Sequence, residues 1–172
     1  MSIVRRRNHL LKKLVEDIQN RSLHLTIVGS GYVGLPTAAL FAGTGFQVTA
    51  LDINPEIVGA VNNGFSPINE PCLNELISRN VKTGRLKATL NSTEVLNQAD
   101  AVIISVQTPI DKNRKPNLSF LTKALEDVGK NMKKGILIVV SSTVPPGTMM
   151  EKVNPKLESL SGLKGDTEFY LA

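Results

Sequence analysis

Apolar residues occur along this chain in two patterns, short continuous runs and helical repeats. The continuous runs are typical of strands buried in a parallel sheet, and they predict strands at 25–28, 47–51, 86–90, 100–106, 136–140 and 168–172. Apolar positions three and four residues apart predict helices at 8–20, 32–43, 55–62, 69–81, 118–132 and 148–160. Strands that alternate with helices predict an α/β fold with a doubly wound parallel sheet, preceded by an extra N-terminal helix.

Basic charge is concentrated in the first 24 residues. Residues 1–24 carry six basic and two acidic side chains, whereas residues 25–172 are nearly neutral, so +4 of the net charge of +5 belongs to the N-terminal segment. We predict a basic amphipathic helix there that packs on the body of the protein or on a neighbouring subunit. Arg5–Arg7 could instead contact nucleic acid or a membrane surface. Because the basic charge is confined to one segment, we expect neither partner.

Length and composition limit the class of protein. The 172 residues fit one domain, which we place at 25–172, with 1–24 as an appendage. No apolar run approaches the ~20 residues that span a bilayer, and no apolar core follows the N-terminal arginines as in a signal peptide. The single cysteine, Cys72, excludes internal disulfides and cysteine metal clusters and fits a reducing cytoplasm. We expect a cytoplasmic protein without a metal, in which Cys72 is a small packed hydrophobe.

The first predicted strand ends in a glycine-rich turn. Gly29, Gly31 and Gly34 have the spacing G-x-G-x-x-G between a strand and a helix. The first glycine permits a tight turn, the second lets a pyrophosphate approach the backbone, and the third allows close packing of helix on strand. Free N–H groups and the positive end of the helix dipole favour phosphate at such a position. The turn therefore predicts a dinucleotide site.

Asp52 follows the second predicted strand, 23 residues after Gly29. An acidic residue at about this distance hydrogen-bonds the adenosine ribose in dinucleotide-binding domains. Its charge would repel a 2′-phosphate and no arginine follows closely, so we predict NAD rather than NADP. The alternative is an aspartate that caps the helix beginning near Asn54-Pro55.

Two further segments follow predicted strands, Val106–Pro109 and Ser141–Thr148. A proline in the first and a Pro-Pro-Gly turn in the second end each strand sharply. Their hydroxyl groups either face the cofactor cleft or serve as caps and turn formers, and the residues alone leave both interpretations open.

In combination these segments resemble the UDP-glucose/GDP-mannose dehydrogenase family. The resemblance extends in order over 25–172, and the residues that carry it are Gly29–Pro36, Asp52, Asn69–Leu73, Thr108-Pro109 and Ser142–Thr148. Gln107–Asp111 and Pro116–Ser119 are most similar to the branch that acts on UDP-N-acetylhexosamines.

The resemblance implies a cytoplasmic enzyme that oxidises the C6 alcohol of a UDP-sugar to a carboxylate with two NAD⁺. An active-site cysteine forms a covalent intermediate with the sugar, and the full-length protein is a homodimer. By position, the resemblance places the cofactor pyrophosphate on the turn Gly29, Gly31, Tyr32, Val33 and Gly34. It assigns the ribose to Asp52 and a contact with the cofactor to Thr108. Thr143 is expected to lie beside the nicotinamide and to help orient a water.

This sequence departs from the family pattern in several places. In the family the nucleophilic cysteine lies in a second half, whereas Cys72 stands at a usual glycine position. The chain is therefore expected to be the NAD-binding half, inactive alone. A stand-alone, non-catalytic dinucleotide-binding or regulatory module is the alternative. Ser141 stands where many members have glutamate. Ile57 stands where many have a basic residue near the adenosine phosphate, so part of that contact is expected to be missing.

Overall fold

The computed structural model describes residues 3–112 and 114–172, and the side chains of residues 1–9, Arg5–Arg7 among them, lie outside the described part. The helices are α1 (Ile3–Asn20), α2 (Gly34–Gly43), α3 (Pro55–Asn62), α4 (Leu73–Lys82), α5 (Ser92–Gln98), α6 (Ser119–Asn131) and α7 (Asn154–Ser161), with a π-helical segment (Met149–Val153) leading into α7. The strands are β1 (His24–Val28), β2 (Gln47–Leu51), β3 (Leu86–Thr89), β4 (Ala101–Ile104), β5 (Leu137–Val140) and β6 (Tyr170–Leu171).

The six strands form one parallel sheet in the order β3-β2-β1-β4-β5-β6. This arrangement confirms the predicted doubly wound fold with an N-terminal helix. Strand β1 is central: Thr26 lies opposite Thr49 of β2 on one side and Val102 of β4 on the other. The chain winds outward from β1 to β3 and then crosses back to β4. In such sheets, ligands bind beyond the carboxyl ends of the strands at the point of reversal, here between β1 and β4.

Each face of the sheet is covered by its own apolar cluster. Alternate residues of a strand point to opposite faces. Ile27 therefore packs against α2 and α4 on one face, whereas its neighbour Val28 belongs to the cluster on the other face. The first cluster includes Leu14 of α1, which docks that helix on the body. The second cluster is built from α5, α6 and α7. Both faces of the sheet are therefore buried beneath helices.

Helix α5 is not predicted by the sequence pattern. Its seven residues bury only Val95 and Leu96, and two apolar residues are too few to show a helical repeat. Asn91 begins the helix by accepting a hydrogen bond from the N–H of Glu94 (3.2 Å). Strand β4 is also shorter than the predicted 100–106, because its pairing with β1 and β5 ends at Ile104.

The segment before α4 corrects the expectation for Cys72. Helix α4 begins at Leu73, whereas the repeat predicted a start at 69. Cys72 precedes it with a φ of +61°, in the left-handed region that favours glycine. Its thiol side chain is exposed, so the interpretation of Cys72 as a packed hydrophobe is wrong. The left-handed backbone explains why glycine is the usual family residue at this position.

Asp100 joins three segments at the amino edge of the sheet. Its carboxylate accepts hydrogen bonds from the N–H of His24 (2.9 Å) and from the ammonium of Lys133 (2.7 Å). Burial raises the pKa of Asp100, but these two donors outweigh burial and hold the pKa below its usual range. The starts of β1, β4 and β5 are thereby held together.

Asp100→Asn should lower the free energy of unfolding at neutral pH. It should also make that free energy fall less as the pH is lowered. Because the pKa of Asp100 is lower in the folded than in the unfolded protein, its stabilisation is present above about pH 4 and is lost as the pH falls through the folded pKa. We expect a loss of about 1 kcal/mol near neutrality, since the group is partly exposed. Urea unfolding at about pH 7 and about pH 3 measures this. Glu75→Gln, at an exposed position of α4, is the control. If acid lowers the free energy of unfolding equally in Asp100→Asn and wild type, the stabilising role assigned to the Asp100 carboxylate is contradicted.

Candidate dinucleotide-binding site

A crevice opens beyond the carboxyl ends of β1, β2 and β4, at the point where the strand order reverses. One wall is the glycine-rich turn after β1, and the opposite wall is a face of α6. The lining residues are Val28, Gly29, Ser30, Gly31, Leu51, Asp52, Ile53, Ile57, Leu90, Ser92, Ser105, Val106, Gln107, Phe120, Lys123, Ala124 and Asp127. Its place in the fold is the one where doubly wound sheets bind nucleotides.

Two glycines of the turn are required by the packing of the protein itself. Gly29 has a φ of +94°, and a Cβ there would lie 2.5 Å from the carbonyl oxygen of Ser105. At Gly34 a Cβ would overlap the carbonyl oxygen of Gly29. The turn therefore folds tightly against both β4 and the start of α2.

Gly31 differs from the other two glycines, because nothing lies within 4 Å of the position of its missing Cβ. Gly31 lines the crevice and stands three residues before the first residue of α2. No side chain caps α2, and the N–H groups of Tyr32 and Val33 donate no hydrogen bond to any residue in the described part of the chain. Unpaired N–H groups at a helix start favour an anion. The turn thus fits a pyrophosphate.

Asp52 lies at the end of β2 and orients the turn. One carboxylate oxygen accepts a hydrogen bond from the N–H of Ser30 (2.6 Å) and the other from the N–H of Asn54 (2.9 Å). Asn54, not Asp52, caps α3, through a bond from the N–H of Glu56 (2.9 Å). A carboxylate has about four acceptor positions, so capacity remains for ligand hydroxyl groups.

Ser30 carries a buried group that the protein leaves unpaired. Its side chain is 1% exposed, and its Oγ has no hydrogen-bond partner among the described residues. Buried hydroxyl groups nearly always have a partner, from protein, water or ligand. Ser30 also lines the crevice, so its hydroxyl group is a candidate partner for a polar ligand or a water.

The hydroxyl groups after β4 and β5 link the two strand ends. Ser142 Oγ accepts a hydrogen bond from the N–H of Val106 (3.0 Å) and donates one to its carbonyl oxygen (2.7 Å). Thr108 Oγ1 donates to the carbonyl oxygen of Thr143 (2.8 Å). Both hydroxyl groups thus bond to backbone atoms of the other strand end. A hydroxyl oxygen that donates one hydrogen bond can still accept others, so the contact of Thr108 with the cofactor stays a prediction. The side chain of Thr143 is exposed.

The structure brings together only some of the predicted site residues. Gly29, Gly31 and Asp52 line the crevice. Tyr32 and Val33 are exposed on the turn, and Gly34 is buried beneath it. Neither Thr108 nor Thr143 is among the described residues that line the crevice. Thr108 follows β4 and Thr143 follows β5.

One wall of the crevice was not predicted, the face of α6. Phe120, Lys123, Ala124 and Asp127 line it, whereas Leu121 and other apolar residues of α6 pack into the core. The signal in the sequence is a second repeat at positions i, i+3, i+4 and i+7, which lies beside the core repeat. Phe120 is 45% exposed, so apolar surface is available to a ligand ring.

The described residues contain no group of three His, Cys, Asp or Glu side chains that could hold a metal ion. None of the helices in this part of the chain is long and apolar enough to span a membrane.

Comparison with known proteins agrees with this geometry. The family model described as "UDP-glucose/GDP-mannose dehydrogenase family, NAD binding domain" matches residues 23–172. UDP-N-acetyl-D-mannosamine dehydrogenase of Pyrococcus horikoshii is 38% identical over 150 residues, and the match covers 87% of this chain and 35% of that protein. The enzyme of the same name from Campylobacter jejuni is 40% identical over 145 residues, covering 84% and 35%.

A solved structure shows the same relationship. The ternary complex of GDP-mannose dehydrogenase from Pseudomonas aeruginosa superimposes with a TM-score of 0.83 at 32% identity, covering 86% of this chain and 34% of that one. The chain thus spans about a third of the length of the relatives that it matches. The match to the family model over 23–172, together with this crevice, shows that the chain belongs to the UDP-glucose/GDP-mannose dehydrogenase family and contains its NAD-binding domain.

Proposed function

We propose that this chain binds NAD⁺ for a nucleotide-sugar 6-dehydrogenase, which oxidises the C6 hydroxyl of the sugar to a carboxylate. The observation that carries the proposal is the crevice itself, which is lined by the Asp52 carboxylate and by Gly31, a glycine with an open Cβ position shortly before an uncapped helix start. When bound, NAD⁺ accepts the hydride that leaves the sugar. The residues of this chain bind and orient that acceptor.

We assign the residue roles from the family resemblance together with the positions of the residues. The backbone of the turn at Gly31, Tyr32 and Val33 holds the pyrophosphate, and Asp52 holds the adenosine ribose. Thr108, after β4, and Thr143, after β5, are assigned to the nicotinamide end. The exposed Thr143 side chain positions the nicotinamide ring and a water there.

For the sugar we propose a UDP-N-acetylhexosamine, with an N-acetylglucosamine or N-acetylmannosamine unit. Support comes from Gln107–Asp111 and Pro116–Ser119 and from two relatives named UDP-N-acetyl-D-mannosamine dehydrogenase at 38% and 40% identity. GDP-mannose 6-dehydrogenase of Azotobacter vinelandii is 36% identical over a similar span. GDP-mannose is therefore the competing substrate to test.

Covalent oxidation of an aldehyde to a carboxylate needs a nucleophile near the cofactor. The one cysteine of this chain, Cys72, is exposed beside Glu75 and Arg79 and does not line the crevice. We therefore expect the 172-residue polypeptide to bind NAD⁺ without turning over a nucleotide sugar.

Calorimetry with NAD⁺ tests cofactor binding. NADH fluorescence in the presence of each UDP-N-acetylhexosamine and of GDP-mannose tests whether the polypeptide turns over a nucleotide sugar. Absence of NAD⁺ binding would contradict the proposed function. Steady NADH production by this polypeptide alone would contradict the expectation that the covalent step needs a nucleophile that this polypeptide does not supply.

Asp52→Asn is expected to weaken NAD⁺ binding about tenfold, because a hydrogen bond to a charged acceptor contributes about 1.5 kcal/mol or more. The amide oxygen still accepts one backbone bond, so the turn is disturbed less than by Asp52→Ala. Calorimetry gives the affinity, and Asp166→Asn, an exposed carboxylate outside the crevice lining, is the control. Equal affinities for wild type and Asp52→Asn would exclude the ribose assignment.

A further inference from the structure

The charges that line the crevice do not by themselves favour an anionic ligand. Three charged side chains line it: Asp52, Lys123 and Asp127. The pyrophosphate of a dinucleotide brings two more negative charges. Beside Asp52, the wall formed by α3 presents the apolar Ile57. Lys123 is thus the one cationic side chain among the described residues of the lining.

Lys123 is placed on α6, on the same face as the exposed ring of Phe120. Its ammonium lies 3.6 Å from a carboxylate oxygen of Asp127, one helical turn later, in an ion pair whose Lys123 side chain is 68% exposed. Exposed i,i+4 pairs contribute only about 0.3–0.5 kcal/mol. A ligand can therefore draw the ammonium away from Asp127 at small cost.

We propose that Lys123 is a specificity-determining residue of the crevice, which selects anionic dinucleotides by neutralising the charge that Asp52, Asp127 and the pyrophosphate bring together. This inference rests on the proposed NAD⁺ binding. It assigns the two partners of one surface ion pair opposite effects on the ligand: Lys123 attracts it and Asp127 repels it.

The opposite signs give the test. Lys123→Met keeps the length of the side chain and removes the charge, and we expect a twofold to fivefold weaker affinity for NAD⁺, about the effect of one exposed charge. Asp127→Asn should strengthen binding by about the same factor. Lys130→Met, an exposed lysine on the same helix outside the crevice lining, is the matched control and should bind as wild type does.

Both variants break the same ion pair, so a merely structural role would shift NAD⁺ affinity in the same direction in each. The measurement is calorimetry of the 172-residue chain at low and high salt, where the difference between wild type and Lys123→Met should shrink with salt. Thermal unfolding of each variant verifies folding. The affinity for ADP-ribose should change in the same direction as the affinity for NAD⁺ in each of these variants.

The possible failures are distinguishable. If wild type does not bind NAD⁺, the proposed function is wrong. If wild type binds and Lys123→Met binds equally well, or if both variants shift in the same direction, the role of Lys123 is overturned while the function stands.

Discussion

Replacing Gly31 by alanine is expected to weaken NAD⁺ binding about tenfold to a hundredfold without destabilising the protein. A Cβ at this position meets nothing within 4 Å, and the backbone is not in the left-handed region that favours glycine. The substitution therefore costs the folded protein little. The same Cβ occupies the space through which the pyrophosphate reaches the backbone, and overpacking a close contact costs about 1–3 kcal/mol.

Calorimetry with NAD⁺ and thermal unfolding without ligand measure the two sides of this prediction. Gly84→Ala is not a suitable control, because Gly84 has a φ of +70°; Gly59 of α3, which has open space and no positive φ, is suitable. Gly59→Ala should bind NAD⁺ as wild type does. Unchanged affinity in Gly31→Ala would show that the pyrophosphate does not pass over this residue.

Replacing Gly34 by alanine should have the opposite profile, a large loss of stability. Its Cβ would overlap the carbonyl oxygen of Gly29, and this neighbour is backbone that cannot rotate away. Helix α2 would have to move off β1, which would open the buried contacts of Leu35 and Ala38. We expect a loss of about 3 kcal/mol, or a Tm lower by about 6–12 °C.

Thermal unfolding again provides the measurement, with Gly59→Ala as the matched glycine-to-alanine change inside a helix. That control should be neutral or stabilising by up to about 1 kcal/mol, because alanine is the better helix former. A wild-type Tm for Gly34→Ala would contradict the close packing of the turn. Together the two substitutions separate the glycine that serves the ligand from the glycine that serves the fold.

The sequence was sufficient for features that depend on neighbouring residues. The turn at Gly29–Gly34 was predicted because three glycines between a strand and a helix describe one local conformation. The position of Asp52 at the carboxyl end of the second strand was predicted because its distance along the chain from Gly29 corresponds to one βαβ unit. Its hydrogen bond to the N–H of Ser30 joins the same two strand ends in space.

The sequence was insufficient where a local signal was weak or could be satisfied in two ways. Helix α5 has two buried apolar residues in seven, which is too little for a periodic pattern. Cys72 has a residue type that is usually packed, but the left-handed backbone at 72 leaves it exposed. The hydroxyl groups of Thr108 and Ser142 fit a ligand or the backbone equally well until the partner strand is placed.

By itself the sequence determined the six strands, every helix except α5, the parallel sheet and the glycine turn, because each is encoded within a few residues or in the alternation of elements. Only the tertiary structure decided that Lys123 and Asp127 of α6 line the same crevice as Asp52. Both are more than seventy residues from Asp52 along the chain. Their proximity depends on how two layers of helices pack on one sheet, which no local pattern records.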